Sequence, residues 1–357
     1  MTRTTTPTRA GSGRIGKRLL GAIAGVALMA SAGAAGAREL SLQSTFPGGF
    51  PVLSESIDYF IRNVDNATAG QVKFKAYDAG KLSPPFEVLG NVGNGSIDSG
   101  WSYAGYWAGK YPAANLFGSI PFGPDAIKYL AWIYEGGGLA IWQEIYAKDN
   151  VVPMPCGTII SEAAGWFRKE IKSLDDMKGL KFRIGGLGGK ILAKVGATPT
   201  AVPASEVYLA LETGKIDATE LSYPAIDQKA GFSRVAKNYY FPGWHQPSGF
   251  IEFLINKGVW DKFTPGQRLA VEEACKATSL WAITRASVIQ KPALEAFQKD
   301  GVKVGRLPDT VLAALEKAST EVMDEEAARD PLFKKALESY RAFSAIYDEY
   351  NNLNRLK

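Results

Sequence analysis

Residues 165–223 read GWFRKEIKSLDDMKGLKFRIGGLGGKILAKVGATPTAVPASEVYLALETGKIDATELSY, and this stretch decides the predicted fold. Alternating apolar and basic residues at 180–184 predict a strand, and residues 190–195 predict a short helix after a glycine cluster. Residues 205–220 continue with a second helix and a second strand. Arg183 therefore lies near a strand end, just before the backbone amides of a helix N-terminus. Both features favour binding of an anion, most simply a carboxylate.

The glycine cluster matches neither of two common nucleotide-binding motifs. A dinucleotide fingerprint needs a third glycine at position 191, after Gly186 and Gly188, and that position is Ile191. A phosphate-binding P-loop needs glycine at the position of Ile184 and serine or threonine at that of Ile191. The remaining alternative is structural, because Gly188 and Gly189 permit a tight turn from strand to helix.

The N-terminus carries the clearest local signal in the chain. Basic residues precede an apolar run at residues 19–28, and small residues follow up to Ala37. This pattern is typical of a secretory signal peptide over residues 1–37, cleaved before Arg38, so we expect the protein in the periplasm. The alternative is an uncleaved anchor, but the apolar run is shorter than a membrane span. The basic residues are Arg3, Arg9, Arg14, Lys17 and Arg18.

Composition excludes one class of partner. The chain has 357 residues with 46% apolar content, which is typical of about two globular domains. The five basic residues of the N-terminal segment account for the whole formal charge of +5, so the rest of the chain is neutral. A neutral protein lacks the basic surface that nucleic-acid binding requires, and we therefore expect no nucleic-acid partner.

Two cysteines, Cys156 and Cys275, occur in the chain. An oxidising compartment permits a disulfide between them. The sequence contains no information on the distance between them, and a disulfide requires close Cα atoms. We therefore expect two separate buried thiols, with the disulfide as the alternative.

The order of elements predicts an α/β protein with two lobes. Strands alternate with helices from residue 38 to residue 160, which predicts a parallel sheet. A second α/β unit follows over residues 161–249, and a strand at 250–256 returns the chain to the first unit. The predicted lobe I comprises residues 38–160 and 250–310, lobe II residues 161–249, and residues 311–357 form a helical segment that ends in a long helix. Ligands of such proteins bind in the cleft where strand C-termini face each other.

Seven segments, in order, make the chain resemble a known family. The chain is similar to the extracytoplasmic solute-binding subunits of tripartite ATP-independent periplasmic (TRAP) transporters, and most similar to the branch that binds 2-oxo or 2-hydroxy monocarboxylates, such as pyruvate or lactate, with a metal cation. The similarity spans the whole predicted mature chain. The segments are residues 78–87 (DAGKLSPPFE), 106–113 (YWAGKYPA), 120–123 (IPFG), 165–171 (GWFRKEI), 178–189 (KGLKFRIGGLGG), 216–220 (IDATE) and 239–245 (YYFPGWH).

The resemblance implies roles for charged and polar residues. Arg183 matches the arginine that pairs with the ligand carboxylate, where a planar fork suits two oxygens better than a lysine does. Glu220 matches a metal-ligating carboxylate, and Leu221 matches the next residue, usually tryptophan, which offers its backbone carbonyl. Glu162 stands where the branch usually has a ligating glutamine. Glu252 is a further candidate for the same centre, with an edge-strand carboxylate as the alternative.

Aromatic residues complete the pocket that the resemblance implies. Tyr106 matches a tyrosine that hydrogen-bonds the ligand carboxylate. The residue before it is often a second tyrosine but is Gly105 here, so we expect more room at this point. We expect Trp166, Trp244 and Phe250 to line or flank the cleft, with ordinary core packing as the alternative for each tryptophan. The single histidine, His245, is expected to be a wall or core residue.

The predicted cofactor is a metal cation that bridges the protein and the ligand. Glu162 and Glu220 bring two negative charges and the ligand carboxylate a third, while Arg183 returns one positive charge. Calcium would neutralise the remainder, and oxygen ligands suit it; sodium is the alternative. A second alternative has no metal, with Glu162 accepting hydrogen bonds from a hydroxylated or amine-bearing ligand. The ligand could also be another carboxylate.

The resemblance also implies partners. It implies delivery of the ligand to the TRAP membrane permease and exchange of the helix at residues 331–353 between two subunits, which predicts a homodimer. A purely sensory partner is an alternative to the permease. An exported hydrolase using paired carboxylates is the rival class, but the chain has one histidine and no G-x-S-x-G motif around Ser161, so we expect no enzyme.

Overall fold

The computed structural model describes residues 39–354, and the predicted signal peptide lies outside them. Two sheets with helices around them form the described part of the chain, as expected for an α/β fold. The strands there are β1 (Glu39–Ser44), β2 (Lys73–Tyr77), β3 (Ser99–Ser102), β4 (Val151–Ile159), β5 (Gly165–Phe167), β6 (Lys181–Arg183), β7 (Thr198–Thr200), β8 (Ala218–Thr219), β9 (Asn238–Phe241), β10 (Gly249–Asn256) and β11 (Lys303–Arg306).

Helices pack around both sheets. None of the helices within residues 39–354 is long and apolar enough to cross a membrane. The helices are α1 (Glu55–Ala67), α2 (Val88–Gly93), α3 (Asn115–Gly118), α4 (Ala126–Glu135), α5 (Gly138–Ala147), α6 (Gly186–Lys194), α7 (Val207–Glu212), α8 (Pro224–Ala230), α9 (Lys257–Trp260), α10 (Pro265–Lys299), α11 (Asp309–Arg329) and α12 (Pro331–Asn354).

The first sheet has the strand order β2-β1-β3-β10-β4. Strand β1 runs parallel to β2 and β3, as the alternation of strands and helices predicts. Strand β10 runs antiparallel to both β3 and β4, so the sheet is mixed, and the predicted parallel arrangement holds for β1, β2 and β3. The reason is topological: β4 leads the chain away towards the second sheet, and β10 brings it back in the opposite direction.

The second sheet has the order β11-β9-β5-β8-β6-β7. The predicted strands at 180–184 and 216–220 correspond to β6 and β8, which are parallel neighbours. Strand β11 pairs with β9, so residues 303–306 belong to this sheet and not to the predicted lobe I. The long helix α10 explains the difference. It packs on β4 and α1 at one end and on α8 and β11 at the other, and its 35 residues span about 50 Å.

A disulfide joins the first sheet to this helix, contrary to the expectation of separate thiols. Cys156 of β4 and Cys275 of α10 are bonded across 119 residues of chain, with Cα atoms 4.1 Å apart. Because β4 and α10 pack along each other, the two cysteines come together although the sequence separates them widely. Both residues are buried.

The segment 125–147 forms two helices, α4 and α5, because Gly137 between them adopts a left-handed conformation with φ of 83° that glycine tolerates. Helix α12 is the predicted long C-terminal helix. It packs on α4, α5 and α11, with Phe333, Ala336 and Leu337 buried near its start.

Candidate functional site

A small cavity lies at the C-terminal ends of strands from both sheets. Phe46 and Tyr103 follow β1 and β3, Ile159 ends β4, and Arg183 and Glu220 stand at the ends of β6 and β8. All five line the cavity, which has a volume of about 40 Å³. One water needs roughly 10–15 Å³ by the same measure, so a ligand of only a few non-hydrogen atoms fits.

Two segments that connect the sheets hold one side of this cavity. Residues 160–164 leave the first sheet and residues 242–248 return to it, and the backbones of the two segments bond to each other. The amide of Gly243 donates to the carbonyl of Glu162 at 2.9 Å, and the amide of Glu162 donates to the carbonyl of Gln246 at 3.3 Å. A Cβ at position 243 would lie 2.4 Å from the Glu162 carbonyl oxygen, so only glycine allows this approach. Glu162 and His245 are thereby brought side by side.

Three ionisable side chains form a buried cluster beside the cavity, namely Glu162, Glu220 and His245. One ligand atom of each lies within 4.8 Å of the others. The Nε2 atom of His245 is 3.3 Å from Oε2 of Glu162 and 3.6 Å from Oε2 of Glu220. Oε2 of Glu162 and both ring nitrogens of His245 make no hydrogen bond within the described chain. Buried polar atoms without partners indicate a site for an ion or water, so these side chains fit a cation.

Arg183 and Glu220 form an ion pair in this cluster. Nη1 of Arg183 donates to Oε1 of Glu220 at 2.9 Å and to the Glu220 backbone carbonyl at 2.7 Å, and Nε donates to the carbonyl of Val202 at 2.9 Å. The amide of Gly185, just before α6, donates to Oε1 of Glu220 at 3.3 Å. Since these bonds use Nε and both hydrogens of Nη1, the Nη2 atom is the part of the guanidinium left for a ligand carboxylate. The expected two-nitrogen fork is therefore already partly committed to Glu220.

The pKa values of the Glu162 and Glu220 carboxyl groups shift in opposite directions. Burial raises the pKa of Glu162 to about 7. Burial also acts to raise the pKa of Glu220, but the charge of Arg183 and the contact with His245 hold it below its ordinary value. Burial lowers the pKa of His245, yet its interactions with Glu162 and Glu220 outweigh this and raise it to about 9. The cluster thus holds one carboxylate that is paired with Arg183 and one whose nearest positive group is His245.

Other predicted residues also line the cavity. Tyr106 lies in it with its ring edge-on to Tyr103, their centroids 5.7 Å apart, and Leu221 lies in its wall. The expectation of extra room at Gly105 is wrong, because a Cβ there would lie 2.3 Å from the ring of Tyr103, which fills the space.

Four predicted residues are not part of the cavity lining. Trp166 lies in the core, where its indole nitrogen donates to Asp227 at 3.0 Å. Phe250 is buried against Tyr129, and Trp244 stacks on Phe122. The aromatic character of Trp166 and Phe250 is explained by packing, because β5 and β10 are covered on both faces and so have no exposed side.

Glu252, the fourth, does not join Glu162 and Glu220. It is buried within the first sheet, where Trp107 donates to its Oε1 at 2.5 Å and Tyr146 donates to its Oε2 at 3.1 Å. Burial raises the pKa of Glu252 to about 8. The carboxyl group is therefore a hydrogen-bonded core residue that favours its protonated form at neutral pH.

The sequence did not predict that two residues, His245 and Tyr103, take part in the site. His245 was expected only as a wall or core residue, and its place in the cluster depends on the bonds between the connecting segments. Tyr103 had no assigned role, because the resemblance directs attention to Tyr106. The signal that could have identified it is Gly105, since an absent side chain leaves space that a nearby large side chain can fill.

Comparisons with known proteins place this geometry in a family. The family model described as bacterial extracellular solute-binding protein, family 7 (DctP), matches residues 47–330. A monocarboxylate 2-oxoacid-binding periplasmic protein from Nostoc sp. strain PCC 7120 is 35% identical over 295 residues, which cover 83% of this chain and 81% of the relative.

Two solved structures are similar over most of their length. A TRAP transporter solute-binding protein from Bordetella bronchiseptica RB50, a mixed-occupancy dimer with copurified calcium and picolinate, is 32% identical with a TM-score of 0.86 and covers 88% of this chain and 94% of that one. A TRAP periplasmic solute-binding protein from Pseudoalteromonas atlantica T6c, with bound sodium and pyruvate, is 29% identical with a TM-score of 0.84 and covers 89% and 99%.

The burial of the Glu252 carboxyl group leads to a prediction on how stability depends on pH. The pKa of Glu252 rises from 4.5 to about 8 on folding. Between these pH values the folded protein holds a proton on Glu252 that the unfolded protein has released. The free energy of unfolding of the natural protein therefore falls as the pH rises through this range. Glu252→Gln keeps an acceptor for Trp107 and cannot ionise. We expect its free energy of unfolding, relative to the natural protein, to increase between pH 5 and pH 8 by up to about 1.4 kcal/mol per pH unit.

Urea denaturation at four pH values measures this difference. Glu252→Leu is the control, because it leaves Trp107 and Tyr146 without their acceptor and should be less stable than Glu252→Gln at every pH. Parallel stability curves for the natural protein and Glu252→Gln would contradict the prediction.

Proposed function

Because the chain belongs to the family-7 bacterial extracellular solute-binding proteins, the binding subunits of TRAP transporters, we propose that it captures a small 2-oxo or 2-hydroxy monocarboxylate together with a cation. The observation that carries the proposal is the buried cluster of Glu162, Glu220 and His245 beside Arg183, in a cavity of about 40 Å³. The relatives from Nostoc, Bordetella and Pseudoalteromonas support it through the acids and cations with which they are described.

The ligand carboxylate would meet Arg183 and Tyr106. Nη2 of Arg183 is the guanidinium nitrogen outside the ion pair with Glu220, and Tyr106 shares the cavity with it. The charge of Arg183 opposes the rise that burial causes in the pKa of Tyr106, which indicates that the two groups interact. Together they would offer a charge-assisted and a neutral hydrogen bond to one carboxylate.

The cation follows from the charge of the site. Glu162, Glu220 and a ligand carboxylate bring three negative charges, and Arg183 returns one positive charge. With His245 neutral, calcium leaves the site neutral; with His245 protonated, sodium does. Calcium is the cation that we propose, because its two charges would displace the proton that the carboxylates otherwise hold on His245 and because carboxylate oxygens and the Leu221 carbonyl suit it. Sodium is the alternative. With calcium bound, His245 would support Glu162 as a neighbour at 3.3 Å instead of binding the calcium, which prefers oxygen.

Two alternatives are distinguishable from this proposal. A hydroxylated or amine-bearing ligand could donate directly to Glu162 without any cation, and the unpartnered Oε2 of that residue is the observation that favours it. Another carboxylate would keep the cation and change the ligand alone. The family is one of substrate-binding proteins, so an exported hydrolase has no support from the comparisons.

Delivery and location complete the proposal. Members of this family bind small organic acids and work with a TRAP permease in the membrane. We propose that this chain acts in the periplasm after removal of residues 1–37, and that its two lobes close around the ligand by a hinge motion. We also propose a homodimer through α12, for which the Bordetella dimer is support.

Arg183→Lys tests the carboxylate contact. The substitution removes the bonds to Val202 and Glu220 as well as Nη2, and we expect at least tenfold weaker binding of pyruvate in calorimetry. Arg168→Lys, an exposed change directly after β5, is the control and should leave the affinity unchanged. Unaltered affinity in a folded Arg183→Lys protein would contradict the assignment of Arg183.

Chelation tests the cation. We expect pyruvate affinity to fall at least tenfold after treatment with a chelator and to return on addition of calcium, with a smaller recovery in sodium. Glu162→Gln removes one negative charge from the site, so it should shift the preference from calcium towards sodium. Glu252→Gln, outside the cluster, should keep the calcium preference.

The outcome of the chelation experiment separates the alternatives. Equal affinity before chelation, after chelation and after each addition, together with no metal in elemental analysis, would contradict a bound cation. A hydroxylated or amine-bearing ligand would then have to be sought by mass spectrometry of compounds released from the purified protein.

Light scattering tests the dimer. The distal part of α12 exposes 74% of Ile346, 69% of Tyr350 and 83% of Leu353, which is an apolar stripe that a second subunit could cover. We expect a dimer at micromolar concentration and a monomer after changing all three to glutamate. The control changes Leu280 and Val288, which are exposed on α10, to glutamate and should leave the protein dimeric. A monomeric natural protein would contradict the proposal.

A further inference from the structure

Tyr103 occupies a distinctive position in the cavity wall. Its ring follows β3 and lines the cavity, and its hydroxyl lies 3.1 Å from the hydroxyl of Ser119. Burial raises the pKa of Tyr103, and the charges of Glu220 and Glu162 act in the same direction. The phenol is therefore neutral, and it lies close enough to the carboxylates to interact with them.

Two glycines leave the space that this ring occupies. A Cβ on Gly105 would lie 2.3 Å from Cε1 of Tyr103, and a Cβ on Gly118 would lie 2.9 Å from Cε2. Real Cβ atoms do not approach other atoms so closely, so a side chain at either position would displace the ring. The ring can occupy its place only because both neighbours are glycine.

The ring also reaches towards the second sheet. A Cβ on Gly186, in the first turn of α6, would lie 4.0 Å from the Tyr103 hydroxyl. Tyr103 itself follows a strand of the first sheet. The side chain therefore extends across the cavity from one sheet towards the other and limits its volume from that side.

The cavity has a polar part and an apolar part. Arg183, Glu162, Glu220 and His245 are in the polar part described above. The apolar lining includes Phe46, Leu53 and Ile159, and Tyr103 packs against the hydrophobic cluster that contains these three residues. A 2-oxo acid bound through its carboxylate and oxo oxygen at the polar part would direct its carbon substituent to the apolar part, where Tyr103 stands.

We propose that Tyr103, held between Gly105 and Gly118, is the specificity-determining residue that limits the substituent of the bound acid to about the size of a methyl group. This inference rests on the proposed function for the class of ligand. It does not depend on which cation is bound. The physical reason is that the ring fills space which a longer or branched substituent would need, in a cavity of only about 40 Å³.

The experiment compares a size series of ligands on matched variants. Glyoxylate, pyruvate, 2-oxobutyrate and 2-oxoisovalerate are titrated into the calcium-loaded natural protein, Tyr103→Ala, Tyr103→Phe and Gly105→Ala. We expect Tyr103→Ala to raise the affinity ratio of 2-oxoisovalerate to pyruvate at least tenfold. Tyr103→Phe should keep the natural ratio because it keeps the ring, and Gly105→Ala should weaken pyruvate relative to glyoxylate because it displaces the ring into the cavity.

Controls separate this inference from the proposed function. Tyr208→Ala, on α7 outside the cavity lining, removes an equal side chain and should leave all ratios unchanged. Thermal unfolding of each variant shows that it is folded. An unchanged ratio in folded Tyr103→Ala would overturn the role of Tyr103 even if pyruvate binds as proposed.

Failure of the ligand class has a different signature. If the natural protein binds none of the 2-oxo acids but binds a series of 2-hydroxy or unsubstituted acids, the oxo assignment fails, and the same ratio measured on that series still decides the role of Tyr103. If it binds no acid of any series, both the proposed function and this inference are overturned.

Discussion

Two carboxyl groups, those of Glu162 and Glu220, are buried at the cleft, and their burial governs the chemistry of the site. A charged carboxylate away from water costs several kcal/mol unless it is compensated. Glu220 is compensated within the protein by Arg183 at 2.9 Å and by the amide of Gly185. Glu162 has only His245 beside it, with Nε2 3.3 Å from its Oε2, and burial raises its pKa to about 7. A site in which the arginine compensates one carboxyl group but not the other is suited to a cation that arrives with its ligand.

The two sheets supply these charges in different ways. Arg183 and Glu220 stand at the ends of the parallel neighbours β6 and β8, where the sheet register puts Arg183 beside Thr219. Glu162 and His245 stand on the segments that connect the sheets, and the close backbone contact at Gly243 sets their spacing. A hinge motion of the connecting segments would therefore move half of the charged cluster relative to the other half, which would couple closure to binding.

Close packing around two glycines determines the shape of the cavity near Tyr103. Gly105 and Gly118 have no side chains, and Tyr103 fills the space between them. Removing a side chain at one position thus does not enlarge a packed site, because a neighbouring side chain occupies the freed volume. Core carboxyl groups illustrate a related principle: Glu252 is buried as deeply as Glu162 but has two donors, Trp107 and Tyr146, so its burial has a structural explanation.

Local periodicity and turn residues were enough to predict the class of fold, most of the strands and helices, and the location of Arg183 before a helix N-terminus. The resemblance added Glu162, Glu220, Tyr106 and Leu221, which line the cavity together. The antiparallel direction of β10, the pairing of β11 and the disulfide between Cys156 and Cys275 depend on long-range packing, because each joins residues that are far apart in the chain. The tertiary structure also assigned Glu252, Trp166 and Phe250 to the core and brought His245 and Tyr103 to the site. Residue type and spacing do not distinguish a buried carboxylate with two donors from one that faces a cavity, since that difference lies in the neighbours that the fold supplies.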